Sequence, residues 1–204
     1  MPNKECNIAT KHLALGALPF DAAMAKALRG YGKTKLGLVD SGIADLSEAV
    51  TWFENSRLCY TRARYALLLA EGHLRRGDRA VARSLIEGLI ETSRTMGYLH
   101  FEGLACWLMG ECLAPEDPAS AEPYVETAMG ILERIGARND LARALVTRAA
   151  LRQAAGDLAA ARDLLDRAHV IFQELGTLDE PARVKAALFA LDRGSPIPLL
   201  AGVS

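Results

Sequence analysis

Apolar residues late in the chain recur at steps of three and four. Over 158–175 they are Leu158, Ala161, Leu164, Leu165, Ala168, Ile171, Phe172 and Leu175, with Arg162, Asp163, Asp166, Arg167 and Glu174 between them. This spacing puts the apolar set on one face of an α-helix and the charges on the other. The helix belongs to a phrase that returns about every forty residues: an Asp in a turn, an Ala four positions later, and a close on an apolar residue plus Gly. Gly77-Asp78 with Ala82 closes at Met96-Gly97, Asp117 with Ala121 at Ile135-Gly136, and Gly156-Asp157 with Ala161 at Leu175-Gly176. The Asp steps are 39 (117 − 78) and 40 (157 − 117), and the Gly steps match them. A fixed period of this kind predicts stacked helical hairpins, none of which can bury its apolar face alone.

The pattern predicts hairpins at about 30–57, 58–97, 98–136 and 140–176, with a last helix over 180–193. Residues 1–20 read as a leader, 21–193 as the repeat domain and 194–204 as a tail. The turn at 76–78 offers Gly77 to end one helix and Asp78 to cap the next, and Asp140 and Asp157 are expected as further caps. Pro123 fits only a first turn, which moves the expected start of its helix from Asp117 towards Ser120. The first hairpin reads as irregular. A short helix over Ala22–Arg29 is followed by Gly30, Gly32 and Gly37, each costing about 1 kcal/mol inside a helix. Its Asp45 and Ala49 precede the next phrase by only 33 residues (78 − 45). Trp52, Phe53, Tyr124 and Phe172 are expected in the core. No convincing strand is found.

Composition narrows the class. The hydrophobic fraction is 50% with only 6% aromatics, and Ala and Leu dominate, which favours close-packed helices over sheets. The formal net charge is −1, so no overall field recruits nucleic acid or an anionic membrane. The longest uncharged run, Gly194–Ser204, contains two prolines and is too short to span a bilayer. Residues 1–5 lack the order of a secretion signal, and Cys6, Cys59, Cys106 and Cys112 form no Cys-x-x-Cys, so a cytoplasmic protein with reduced thiols is expected.

The phrase Asp-x-x-x-Ala-x-x-x-apolar-x-x-small, as in Gly156-Asp157, Ala161, Leu165 and Ala168, resembles the tetratricopeptide repeat (TPR). The Leu-Gly of that repeat's first helix is matched by Leu36-Gly37 and Met109-Gly110, and replaced by Leu69-Ala70 and Arg148-Ala149. The resemblance implies an all-α fold: an α-solenoid, or superhelix, of about four TPR-like hairpins with a C-terminal capping helix. A narrower resemblance covers roughly Tyr98 to Leu191, through 103–111, Asp117-Pro118, Ala121-Glu122, Tyr124, 135–138 and Gly156-Asp157. These stretches are similar to the helical-repeat tails of bacterial adenylate/guanylate cyclase–ATPase fusion proteins and of LuxR-type regulators. In those proteins the repeats act as sensor, regulator or docking surface. The chain has room for no cyclase, ATPase or DNA-binding domain, so a free-standing or detached repeat module is expected.

The resemblance also implies which side chains line a binding groove, since the first helix of each TPR hairpin supplies the concave face. By position these are Arg64, Leu67 and Glu71, then Trp107 and Glu111, then Arg143 and Gln153, and Arg183 in the last helix. Arg64, Arg143 and Arg183 could clamp a carboxylate or phosphate, with Trp107 as an apolar anchor, or serve merely as solvated charge beside Glu71 and Glu111. Catalytic signals are weak. The string 27–34, ending Gly32-Lys33-Thr34, satisfies a relaxed phosphate-loop pattern but lies in helical surroundings, with Gly30 and Gly32 separating two helices and Lys33 solvated. His12, His73, His100 and His169 share no metal-ligand spacing. The sequence thus predicts no catalysis, cofactor or metal. It predicts a regulatory or scaffold module binding a protein or peptide, or alternatively a small-molecule sensor controlling a separate cyclase, ATPase or transcription regulator. A homo-oligomer formed through the end repeats or the tail residues Ile197, Leu199 and Leu200 is a further expectation.

Overall fold

A computed structural model describes residues 18–178 and 180–199, and their regular structure is entirely α-helical. The leader up to residue 17, with Cys6 and His12, lies outside the described residues. Nine helices follow one another among the described residues. They are α1 Pro19–Lys35, α2 Val39–Asn55, α3 Cys59–Arg76, α4 Arg79–Met96, α5 Leu99–Leu113, α6 Pro118–Arg134, α7 Arg138–Ala154, α8 Leu158–Leu175 and α9 Glu180–Asp192. The chain is all-α, a helical-repeat array as its period predicts. Two compact units divide it, one running to Leu89 and one from Ile90, with α4 contributing residues to each. In the first, α1 packs on α2 and α2 on α3; in the second, α5 through α9 each pack on the next.

Residues in the left-handed region end the helices at Gly37, Arg57, Gly77, Gly97, Gly136, Gly156, Gly176 and Gly194. Glycine suits this conformation because it has no Cβ to clash, and Arg57 (φ 55°) is the exception. Gly37 precedes Gly77 by 40 residues, so the first hairpin keeps the period of the others. That corrects the irregular first repeat. Helix α1 runs unbroken through Gly30 and Gly32 in place of the short helix over Ala22–Arg29. The reason is packing. A Cβ on Gly30 would lie 2.8 Å from the carbonyl oxygen of Gly42, and one on Gly42 only 2.7 Å from that of Gly30. The two backbones cross there, and the contact outweighs the propensity cost of about 1 kcal/mol.

The true register follows from that crossing. The small residue of the phrase is Gly42 in the first hairpin, not Ala49, giving a column Gly42, Ala82, Ala121 and Ala161 at steps of 40, 39 and 40. Three further columns share those steps: Leu46, Ile86, Val125 and Leu165; Ala49, Leu89, Ala128 and Ala168; Phe53, Ser93, Leu132 and Phe172. All twelve are at most 2% exposed. Asp45 therefore sits mid-helix rather than in a turn, and the Leu-Gly match at Leu36-Gly37 falls in a turn. The small interior residue of α1 is Gly30, 80 residues before Gly110 of α5.

Local details differ as well. Asp117 caps α6 by accepting from the Ser120 N–H at 3.0 Å, which starts that helix at Pro118 and leaves Pro123 inside it. Pro123 is exposed, so the hydrogen bond it cannot make is lost at the solvent face. Asp157 caps α8 through Ala160 N–H. Asp140, however, lies within the first turn of α7, behind an N-cap at Ala137, and Asp78 turns its carboxylate to Arg76 and His73. Of the aromatics, Phe53 and Phe172 are fully buried, Trp52 is half-buried and Tyr124 is exposed. In the first unit Phe53 stacks on Tyr65 at 5.5 Å and meets Trp52 and Phe20 edge-on.

Candidate functional site

Aligned on the period, the first helices of the hairpins also carry columns, and the last hairpin breaks one. Helices α3, α5 and α7 start 40 and then 39 residues apart, and on those steps Leu28, Leu68 and Leu108 are followed by Thr147. Thr147 is wholly buried, so a hydroxyl occupies a position that is apolar in the other three hairpins. A buried hydroxyl must find partners. The Trp107 Nε1–H donates to Thr147 Oγ1 at 2.8 Å, and the Thr147 hydroxyl donates to Glu111 Oε1 at 2.6 Å. This ties α5 to α7, the first helices of two successive hairpins.

Arg143 adds charge at the edge of that network. Its guanidinium lies 4.2 Å from the centroid of the Trp107 ring, close enough for a cation–π contact. It stands 3.9 Å from Asp140 Oδ1, while the other Asp140 oxygen lies 2.8 Å from His100 Nε2. The buried Nε of Arg143 has no hydrogen-bond partner among the described residues. Three expected groove residues, Trp107, Glu111 and Arg143, are thus brought together, with Trp107 and Glu111 buried rather than lining an open face. Thr147, His100 and Asp140, none of them expected in the groove, join them. The signal for Thr147 was its place in a column that is leucine in the other three hairpins, at positions 28, 68 and 108.

Gln153, near the end of α7, does something different. Its Oε1 accepts from the Ile197 N–H and its Nε2 donates to the Ser195 carbonyl, both at 2.8 Å. The side-chain amide thereby pairs with a non-helical main chain as a neighbouring β-strand would. Ile197 is 4% exposed, while Ser195, Pro196 and Pro198 face solvent. The tail residues thus pack on their own unit; Leu200 lies outside the described residues. Beside this segment a cleft of about 480 Å³ is bordered by Ala114, Pro115, Ala150, Leu151 and Ala154.

In the first unit the expected residues form an ion-pair cluster. Glu71 is buried and binds Lys35 at 2.7 Å and Arg75 at 3.1 Å, and Leu67 is buried in the core. Arg64 is exposed, 5.8 Å from the Tyr65 ring. Tyr65 itself is buried, which pushes its hydroxyl above the ordinary tyrosine range. Arg183 is exposed on α9, 3.8 Å from Glu180. No contact within the second unit joins it to Arg143 among the described residues.

The string ending Gly32-Lys33-Thr34 lies wholly within α1, so its amides serve the helix rather than face a phosphate. Lys33 is not solvated but pairs with Asp45 at 2.8 Å, as does Arg29 in a two-pronged contact at 2.6 and 2.8 Å. Burial alone would raise the Asp45 carboxyl, but the bonds and charges of Arg29 and Lys33 hold it below the usual carboxylate range. Cys106 is buried in α5 and its thiol is pushed up to about 11 by desolvation, with Glu102 adding to the effect. Among the described residues no group of three His, Cys, Asp or Glu is placed to hold a metal ion, and no helix is long and apolar enough to cross a membrane. No protein-family model matches the chain, and no curated protein matches it.

Proposed function

We propose that the chain is a non-catalytic, tetratricopeptide-like regulatory or scaffold module that binds a partner protein through an extended peptide segment. The observation that carries this reading is the Gln153 amide bound to the main chain of residues 195–197 across a first-helix face. Main-chain pairing by a fixed amide takes any extended backbone in the same way, and the side-chain pockets beside it supply selectivity. Arg143 on α7 offers a guanidinium of the kind that dominates binding energies at interfaces, and it lies over the ring of the buried Trp107 of α5. A cytoplasmic setting in bacterial signalling rests on the resemblance of residues 98–191 to the repeat tails of bacterial regulators.

The test is selection of randomised peptides on the immobilised full chain, followed by calorimetry of the best. Micromolar binding that weakens at least tenfold in Arg143→Ala or Gln153→Ala supports the reading, and failure to select any peptide removes it. A second reading, a sensor for a small anionic ligand, is favoured by the unpartnered Arg143 Nε beside Trp107. A thermal-shift screen of carboxylate and phosphate metabolites separates the two, because a ligand that binds only the folded state raises Tm with concentration.

A further inference from the structure

We propose that residues 195–199 are an internal ligand that can be displaced, and that their sequence states the chemistry of the partner: an extended segment with an aliphatic residue between two prolines. The inference rests on the peptide-binding reading and extends it to the occupant. Three observations at this site converge.

The first is the division of labour along the segment. Ile197 gives its N–H to Gln153 and buries its side chain, while Pro196 and Pro198 on either side point to solvent and have no N–H to leave unpaired. Proline at both flanking positions pre-sets an extended backbone, so little entropy is lost when the segment lies down. The second is the anchoring. The segment is held to α7 through a single side-chain amide and one buried aliphatic group, both local to α7 and the end of α5. It belongs to no helix; the Ser195 N–H bonds the Ala190 carbonyl at the end of α9 at 2.9 Å, and residues 196–199 can leave with that bond kept.

The third is fit. The segment under-fills its seat, because the cleft of about 480 Å³ lies directly beside Pro196, Ile197 and Leu199. The walls of that cleft, Ala114, Pro115, Ala150 and Leu151, are small or apolar. A partner with a larger apolar residue at the Leu199 position buries more surface there than the tail does. The tail competes from a short tether, with an effective concentration on the order of millimolar. A partner therefore displaces it by better filling, and weak, non-matching segments are kept out.

The experiment uses a labelled synthetic peptide of residues 193–199 and fluorescence anisotropy with three full-length chains: wild type, Ile197→Asp, and Ile197→Asp with Gln153→Ala. Ile197→Asp expels the tail, and circular dichroism confirms that the helices persist. The expected result is peptide binding to Ile197→Asp at least tenfold tighter than to wild type, and at least tenfold weakened when Gln153→Ala is added. Equal affinity for all three chains, or no binding to a folded Ile197→Asp chain, overturns the proposal. Hydrogen exchange on the wild type gives a second reading that needs no variant. The Ile197 amide should exchange at least a hundredfold faster than those of Leu145 and Val146 in α7, since the segment opens without unfolding; equal rates overturn displacement. Should peptides selected from a random library bind the wild type while the tail peptide fails on Ile197→Asp, the internal-ligand proposal falls and the peptide-binding reading stands.

Discussion

Replacing Thr147 by Val tests whether the polar break in the repeat is a satisfied network. Valine keeps the shape and the burial but deletes the hydroxyl that links Trp107 to Glu111. The Trp107 Nε1–H loses its acceptor inside the protein, which costs about 1–3 kcal/mol for a buried unsatisfied donor. The hydroxyl's bond to the Glu111 carboxylate is of the charge-assisted kind, with a net contribution of about 1.5–3 kcal/mol. The added methyl recovers about 0.8 kcal/mol of burial. The expected net loss is therefore about 2–5 kcal/mol. Urea unfolding followed by Trp107 emission in a Trp52→Phe background reads the second unit directly. Thr127→Val is the control: its hydroxyl bonds the Pro123 carbonyl on the exposed face of α6, so the change should stay within about 0.5 kcal/mol. A Thr147→Val loss no larger than the control's would refute the network as a stabilising element.

Three further outcomes are expected. Gly42→Ala should destabilise by at least about 2 kcal/mol, because the new Cβ meets the backbone of α1, whereas Gly32→Ala, which meets open space in α1, should stabilise slightly; paired urea titrations compare them. Arg57→Gly should raise Tm by about 1–3 °C, since it relieves a left-handed residue at the periodic turn position and surrenders part of the gain to chain entropy. Burial lowers the His73 imidazole below its ordinary value of 6.5, against the opposing pull of Asp78 and with help from Arg76. Protonation is thus disfavoured in the folded state, and the contribution of His73 is intact above the ordinary value and lost as pH falls below it. The Tm difference between wild type and His73→Gln should accordingly shrink between pH 7.5 and 5.5, about a unit either side of the ordinary histidine value, in melts at constant ionic strength; a constant difference would refute the assignment.

Helix type and period were legible because three hairpins repeat a turn Asp, a small residue and a terminal Gly. Registration of the first hairpin was not. Asp45 and Ala49 imitate the Asp-Ala spacing, while the close approach that sets the register runs through Gly30 and Gly42, and glycines in a helix read as breaks until their partner is known. Thr147 stands out only against its period mates Leu28, Leu68 and Leu108. Groove residues chosen by repeat position included Leu67 and Glu71, which the first unit buries in its core and in an ion-pair cluster. Position along a helix gives a face, but how far the next helix covers that face is a matter of tertiary packing. Gln153 was chosen as a groove lining, and its partner came from the tail, 42 and 44 residues onward. Nothing in local pattern announces a contact of that range.

The most direct measurement is a nitrogen–proton NMR titration of the full chain with a selected peptide, reading the Gln153 side-chain amide and the two indole N–H signals. The account predicts saturable shifts at Gln153 and Trp107 and none at Trp52, which belongs to the first unit. Shifts confined to Trp52 or to the second helices α6 and α8, with Gln153 and Trp107 unmoved at saturation, would contradict it.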